Sequence, residues 1–346
     1  MKKRIILTTL VILIAVAGFL AWKFLGATVK IKDMDKPYLY IKTGATHDDV
    51  KKELLAGEFL KSTRWYDMVA SLMKYKKVNP GRYKLRPNMS LMDLVKMLRS
   101  GSQNPVSFTI TKFRLKETLA GRIGKNFETD SLQMITFLNS PDSLKKYDVD
   151  TNTVMIIPMP LTYPIKWNST PSAIFEHFYT AYKNFWTDER KSQAQNKGLT
   201  PVQASIVASI IDEETNAGKE KGTIASVYLN RINTGIPLQA DPTLKFAVKD
   251  FGLTRVGGEI MKAESPYNTY INRGLPPGPI CTPQLATIDS VLTTPKTDYL
   301  YFVASTDFDG THMFTTNLTD HGRLAREYHK ELNKRKILLK PKTAGK

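Results

Sequence analysis

Residues 208–215 read ASIIDEET, the acidic end of an apolar run that opens at 200 with TPVQ. Thr200 as N-cap, Pro201 at N1 and Gln203 at N3 make a capping box, so a helix starts there. At helical spacings of three and four, Glu214 lies over Val207, Ile210 and Ile211, whereas Asp212 lies over Ser205, Ala208 and Ser209. Glu213 falls at the margin, over Ile206, Ser209 and Ile210. Glu214 is therefore expected to point inward and Asp212 toward the polar side. Burial disfavours a charged carboxyl, and two acidic neighbours push the same way, so Glu214 is expected to hold a proton near neutral pH. A general acid for glycosidic cleavage needs that shift. Alone, such a cluster is a weak signal, because an exposed helix end also accounts for it.

The next hundred residues add context. IASVYLNRI predicts a second helix with Ile224, Val227, Tyr228 and Ile232 inward, stopped by Gly235, with the polar Asn230 and Arg231 near its end. LQADPT (238–243), SPYNTY (265–270) and GLPPGPICTP (274–283) follow as stiff loops. Gln239, Asp241, Thr243, Tyr267, Asn268 and Tyr270 give these loops the amide, carboxylate, hydroxyl and ring groups that suit a sugar, and loops on a rigid scaffold are where sites form. YLYFVAS (299–305) reads as a buried strand that pairs with THMFTTN (311–317) across TDFDG; His312 could face a site, though a lone strand histidine is more often structural.

Upstream, Lys2, Lys3 and Arg4 precede an uncharged run from Ile5 to Trp22, extended by Phe24 and Leu25. About twenty apolar residues span a bilayer as helix, and the preceding cations favour a cytoplasmic N-terminus. The run is long for a cleaved signal peptide, and AWKFLGA offers a poor cleavage site. Then Thr46, Asp49, Val50, Leu54 and Gly57 recur 44 residues later as Ser90, Asp93, Leu94, Leu98 and Gly101. Each set spells a capped short helix with a glycine stop. KPYLYIKTG and NPGRYKLRP precede them as extended segments, which predicts a small α+β module. PVSFTITKF alternates as a strand with Val106, Phe108 and Ile110 on one face, and LKETLAGRIGKNF is an amphipathic helix. VMIIPMPLTYPIKW is broken by Pro158, Pro160 and Pro164 and is irregular. A helix from Pro171 buries Ile174, Phe175, Phe178, Tyr182 and Phe185, while DERKSQAQNKG (188–198) reads as an exposed connection.

The net charge of +18 would suit nucleic acid, anionic lipid or an acidic wall polymer. No basic–aromatic RNA-binding pattern stands out, and a soluble part outside the cytoplasm leaves no nucleic-acid partner. With Cys281 as its one cysteine the chain has no internal disulfide. Its five histidines are scattered, with no HExxH and no CxxC, so neither a metal nor a cofactor is expected.

ASIIDEET, VYLNRI, LQADPT, SPYNTY, GLPPGPI, YLYFVAS and HMFTTNLTDH, in that order, resemble the endolytic murein transglycosylases of the YceG-like family, densely over 200–321. The resemblance implies an α+β class: an N-terminal transmembrane helix, a small LysM-like α+β module and an α+β YceG-like catalytic domain. The divisions expected are 1–4 cytoplasmic tail, 5–25 transmembrane helix, 28–104 LysM-like module, 105–199 connecting part of the catalytic region, 200–330 catalytic core and 331–346 basic tail. It implies non-hydrolytic cleavage between N-acetylmuramic acid and N-acetylglucosamine inside peptidoglycan strands, leaving 1,6-anhydro ends. The enzyme would sit single-pass in the inner (cytoplasmic) membrane, facing the periplasm or extracytoplasmic space, beside peptidoglycan synthases. The family's ExET pattern falls on Asp212-Glu213-Glu214-Thr215; aspartate at its first position disfavours Asp212 and leaves Glu214 as the catalytic residue. Asn230, Gln239 and the Tyr267–Tyr270 loop are then candidates for holding acetamido groups and ring faces, with Asp241, Thr243 and Asn268 beside them. A hydrolase using Asp241 or Asp212 as base, and a non-enzymatic wall-binding scaffold, are the rival readings.

Overall fold

A computed structural model describes residues 2–26, 28–253 and 256–339. Helix α1 (Lys2–Leu25) carries no acid and buries no residue against the protein. At 1.5 Å per residue its 24 residues reach about 36 Å, enough to cross a hydrocarbon core of about 30 Å.

The chain then divides into two compact units. The first runs to Phe108 and recruits Ile123–Asp130 and Tyr163–Thr170, so it takes residues from beyond 104. Its strands β1 (Tyr38–Ile41) and β2 (Gly81–Lys84) pair antiparallel, Tyr38 opposite Lys84 and Ile41 opposite Gly81. Between them lie α2 (His47–Ala56) and α3 (Arg64–Leu72), and α4 (Leu91–Ser100) follows. The repeated caps form as the sequence spells them. Thr46 makes a full capping box with Asp49, Ser90 accepts from the Asp93 amide, and Gly101 closes α4 in the left-handed region. Val50, Leu54, Leu94 and Leu98 are fully buried with Leu39, Ile41 and Tyr83. Strand β3 (Val106–Thr109) buries Val106 and Phe108.

Helices α5 (Lys116–Asn126), α6 (Ser131–Leu138) and α7 (Pro141–Leu144) lead through a short 3₁₀ turn at Val154–Ile156 to β4 (Thr162–Ile165), which pairs with β3. Pairing of strands more than fifty residues apart splits the stretch 105–199 between the two units, which no local pattern signals.

In the second unit α8 (Pro171–Phe185) buries Ile174, Phe175, Phe178 and Phe185. The expected connection at 188–198 is instead mostly helix, α9 (Asp188–Asn196). Thr187 caps it and Arg190 pairs with Asp289 at 2.9 Å, so tertiary contacts rather than an apolar stripe hold it. Helix α10 (Pro201–Glu214) has the Thr200–Gln203 capping box and buries every residue from Ala204 to Asp212. It is enclosed by α11 (Lys221–Thr234), α12 (Asp241–Ala247) and α13 (Leu285–Leu292). The segment Pro276–Pro283 lies along α10, where the Ile280 amide donates to Ser209 Oγ at 3.0 Å. A Cβ on Gly278 would meet the Asn152 carbonyl oxygen at 2.1 Å, so only glycine fits that approach. The expected hairpin of β5 (Tyr301–Ala304) and β6 (His312–Thr315) forms, Tyr301 opposite Thr315 and Ala304 opposite His312, but every position is half-buried, not buried. Helix α14 (Leu318–Leu339) runs through residue 330, and the basic residues at 340–346 lie outside the described residues.

Candidate active site

The three acids ending α10 meet three different environments. Asp212, expected on a polar face, has a side chain only 2% exposed. Its carboxylate accepts from Lys221 Nζ at 2.7 Å, Thr287 Oγ1 at 2.5 Å and the Gln284 amide at 2.6 Å. The polar face became an interior one because α11 and α13 cover it, and its hydroxyls and acid find partners there. Glu213 accepts from Arg114 Nη2 at 2.7 Å and Nε at 3.0 Å, and its other oxygen faces Lys112 Nζ at 3.0 Å without hydrogen-bond geometry.

Glu214 carries no ion pair among the described residues. It is partly exposed, and its Oε1 accepts from the Tyr228 hydroxyl at 2.6 Å. Burial pushes its pKa up from the ordinary 4.5 to about 7. The Tyr228 hydrogen bond opposes that rise, Asp241 adds to it, and Lys245 and Arg231 oppose it. A carboxyl with that pKa can both give and take a proton near neutrality.

Tyr228 and Arg231 share one face of α11 at a spacing of three. Arg231, 7% exposed, donates to the carbonyls of Leu300 at 2.6 Å and Leu238 at 2.8 Å, tying β5 and the 238–240 segment to the helix beside the acid. Neither residue was singled out in the sequence for a role at the acid. Tyr228 reads there as an apolar core residue, and only its hydroxyl's partner fourteen positions away distinguishes it.

The structure sorts the other candidates. Asp241 opens α12 rather than lying in a loop, and its carboxylate accepts from the Tyr270 hydroxyl. Asp241 pushes the pKa of Glu214 up and Glu214 pushes that of Tyr270 up, so the three lie within electrostatic reach of one another. Gln239 holds a left-handed backbone (φ 49°), with an exposed side chain and its amide bonded to the Thr269 carbonyl at 3.0 Å. Tyr267 is half-buried with its ring 4.7 Å from that of Phe246.

Thr243 and Asn268 have no exposed surface. Thr243 bonds the Ala240 carbonyl and Thr269 at 2.8 Å each. Asn268 donates to the carbonyls of Met261 and Ala263 and accepts from the Tyr270 amide at 3.0 Å. Both brace the loops from beneath. Asn230 spends its amide on the Thr297 and Tyr299 carbonyls at 2.8 and 2.9 Å. Two residues past Tyr228 it points about 200° around the helix, so the structure does not bring it to the acid. Among the described residues no His, Cys, Asp and Glu side chains gather into a set that could hold a metal.

The model of the YceG-like family matches residues 39–327. An endolytic murein transglycosylase of Bacillus subtilis is 29% identical, over 93% of each chain. One of Streptococcus pneumoniae is 26% identical over 91% of this chain, which spans 63% of that longer relative. The crystal structure of a YceG-like protein of Listeria monocytogenes shares the fold, with a TM-score of 0.55 at 23% identity, over 83% of this chain and 98% of that one.

Proposed function

Because the chain belongs to the YceG-like family, we propose that it is a membrane-anchored endolytic lytic transglycosylase, a lyase that cuts peptidoglycan between N-acetylmuramic acid and N-acetylglucosamine. The observation that carries this reading is the state of Glu214: one partly exposed carboxyl, free of ion pairs among the described residues, with its pKa pushed up to about 7. Glu214 protonates the glycosidic oxygen as the C1–O bond breaks through an oxocarbenium-like state. The N-acetylglucosamine leaves with that proton on its O4. The resulting carboxylate then takes the proton of the muramic C6 hydroxyl while O6 bonds to C1, closing the 1,6-anhydro ring and restoring the acid. Intramolecular attack benefits from a high effective molarity, so no activated water is needed.

The surroundings support one carboxyl acting twice. Asp212 is enclosed and triply bonded, and Glu213 is tied to two cations, so neither is available as a base. Among the described residues Asp241 is the remaining acid that acts on Glu214, and it is held by Tyr270. Its partial exposure gives the hydrolytic reading its footing.

Helix α1, with Lys2, Lys3 and Arg4 at its start, would hold the chain single-pass in the inner membrane with the rest outside the cytoplasm. The order β1-α2-α3-β2, with two helices between paired antiparallel strands, supports a LysM-like, wall-binding role for the first unit. Cutting new strands beside the membrane would place the enzyme with peptidoglycan synthases.

The test is a digest of purified peptidoglycan by the wild type and by Glu214→Gln, read by mass spectrometry. Internal fragments ending in anhydromuramic acid, lost in the variant, are expected. Products heavier by one water would make it a hydrolase. Retention on the wall with no release by either protein would make it a scaffold.

A further inference from the structure

A cavity of about 150 Å³ opens at Glu213, the residue before Glu214, between the charged Arg114, Glu213 and Lys245 and the apolar Pro242, Phe246 and Phe251. Ligand pockets that enclose whole small molecules run to about 300 Å³ or more, so this volume suits a substituent rather than a sugar ring. Its charge is unbalanced. The single negative charge of Glu213 is shared by Lys112 and Arg114, and Lys245 has no ion pair or hydrogen bond among the described residues. The Arg114 guanidinium lies 4.9 Å from the centre of the Phe251 ring, which fixes it at the cavity wall. Lys245 is four residues after Asp241, on the same face of α12, and both act on the charge of Glu214. The cavity wall includes Glu213, the residue directly before Glu214, and it reaches Glu214 electrostatically through Lys245. Lys245 therefore keeps its ammonium for an anion that enters the cavity.

On the reading of the chain as a peptidoglycan-cleaving enzyme, we propose that this cavity is a carboxylate subsite for the acid-bearing branch on O3 of muramic acid. Lys245 supplies the point charge, while Phe246 and Phe251 receive the methyl groups of the branch. The N-acetylated sugars of the strand are neutral, so the branch is the part of the substrate that such a charge can read. The carboxylate has two sources: the lactyl acid of a peptide-free strand, or an acid of the stem peptide once the lactyl group is amidated.

Calorimetric titration of the full-length Glu214→Gln protein in detergent distinguishes them. Three probes of equal length are compared: a chito-oligosaccharide without the branch, a peptide-free muramic oligomer, and an oligomer carrying stem peptides. At least one acidic oligomer should bind about tenfold more tightly than the chito-oligosaccharide, and the one preferred names the source. Added Lys245→Gln should abolish the preference and Lys245→Arg restore it, with melting temperatures confirming that both fold. Rising salt should shrink it. Equal affinity for all three probes, or a preference that survives Lys245→Gln, overturns the subsite. If the wild type leaves no anhydro ends while the Lys245-dependent preference persists, the lytic reading fails and the subsite stands.

Discussion

The acids of the first unit and those ending α10 are the same chemical groups in opposite settings. Asp48 and Asp49 sit at the exposed start of α2, beside Lys51 and Lys52, where they complement the helix N-terminus. Asp212, Glu213 and Glu214 crowd a helix C-terminus, which repels negative charge, where Asp212 is buried and the other two are partly exposed. The first arrangement is self-sufficient and local. The second exists because Lys221, Arg114 and Lys112 neutralise two of the acids, leaving the third to take up a proton. A cluster that looks redundant in sequence is thus divided into two acids held in ion pairs and one, Glu214, that carries none among the described residues.

The contrast breaks most deeply at Glu214. Glu214→Gln should lower turnover by about 10²–10⁴-fold, the range for a lost general acid and base, in a dye-release assay on peptidoglycan. The wild-type basic limb should fall through pH of about 7. The same substitution should flatten the pH dependence of stability. The folded-state pKa lies above the unfolded one, so the native state binds more protons between 4.5 and about 7, and wild-type stability falls as pH rises through that window. The limiting slope is about 1.4 kcal/mol per pH unit. Chemical denaturation at pH 5 and pH 8 checks this: Glu214→Gln should lose less than the wild type between the two.

Asp212→Ala should act on folding instead. It strands the Lys221 ammonium, whose side chain is 13% exposed, and should cost about 3–5 kcal/mol of unfolding free energy in urea titrations. A full loss of activity in protein that remains equally stable would contradict that division of labour.

Tyr228→Phe should have a smaller effect. Its hydroxyl favours the ionised form of Glu214, so its removal raises the pKa further. The basic limb should move to higher pH, with turnover down about tenfold, the cost of one charge-assisted bond. A limb moving to lower pH would show that the hydroxyl acts otherwise. In the first unit, Asp48→Ala should leave the melting temperature unresolved from the wild type, since exposed pairs contribute little.

Much of this was readable in the chain. The capping boxes at Thr46 and Thr200, the paired helix starts and the strand at 106–109 follow from spacing, because caps and periodicity act over one turn of backbone. The polar side expected for Asp212 proved to be an interior one. A helical wheel ranks faces by polarity, and α10 has no face left for solvent once neighbours close on every side. Polar candidates on the SPYNTY and LQADPT stretches were found as a group, yet their chemistry alone could not tell Tyr270, which meets Asp241, from Asn268, which braces the loop beneath it.

What the sequence determined by itself is what neighbours in the chain decide: the apolar N-terminal helix, the capped helices and the hairpin. What only the tertiary structure decided is which distant groups complete the site. Tyr228 reaches Glu214 across fourteen residues, Tyr270 reaches Asp241 across 29, and Arg114 reaches Glu213 across 99. A proton's affinity for a carboxyl depends on the charges and dipoles within a few ångströms, and chain separation carries no information about those. The site's pKa, and with it the chemistry, is set when the helices pack.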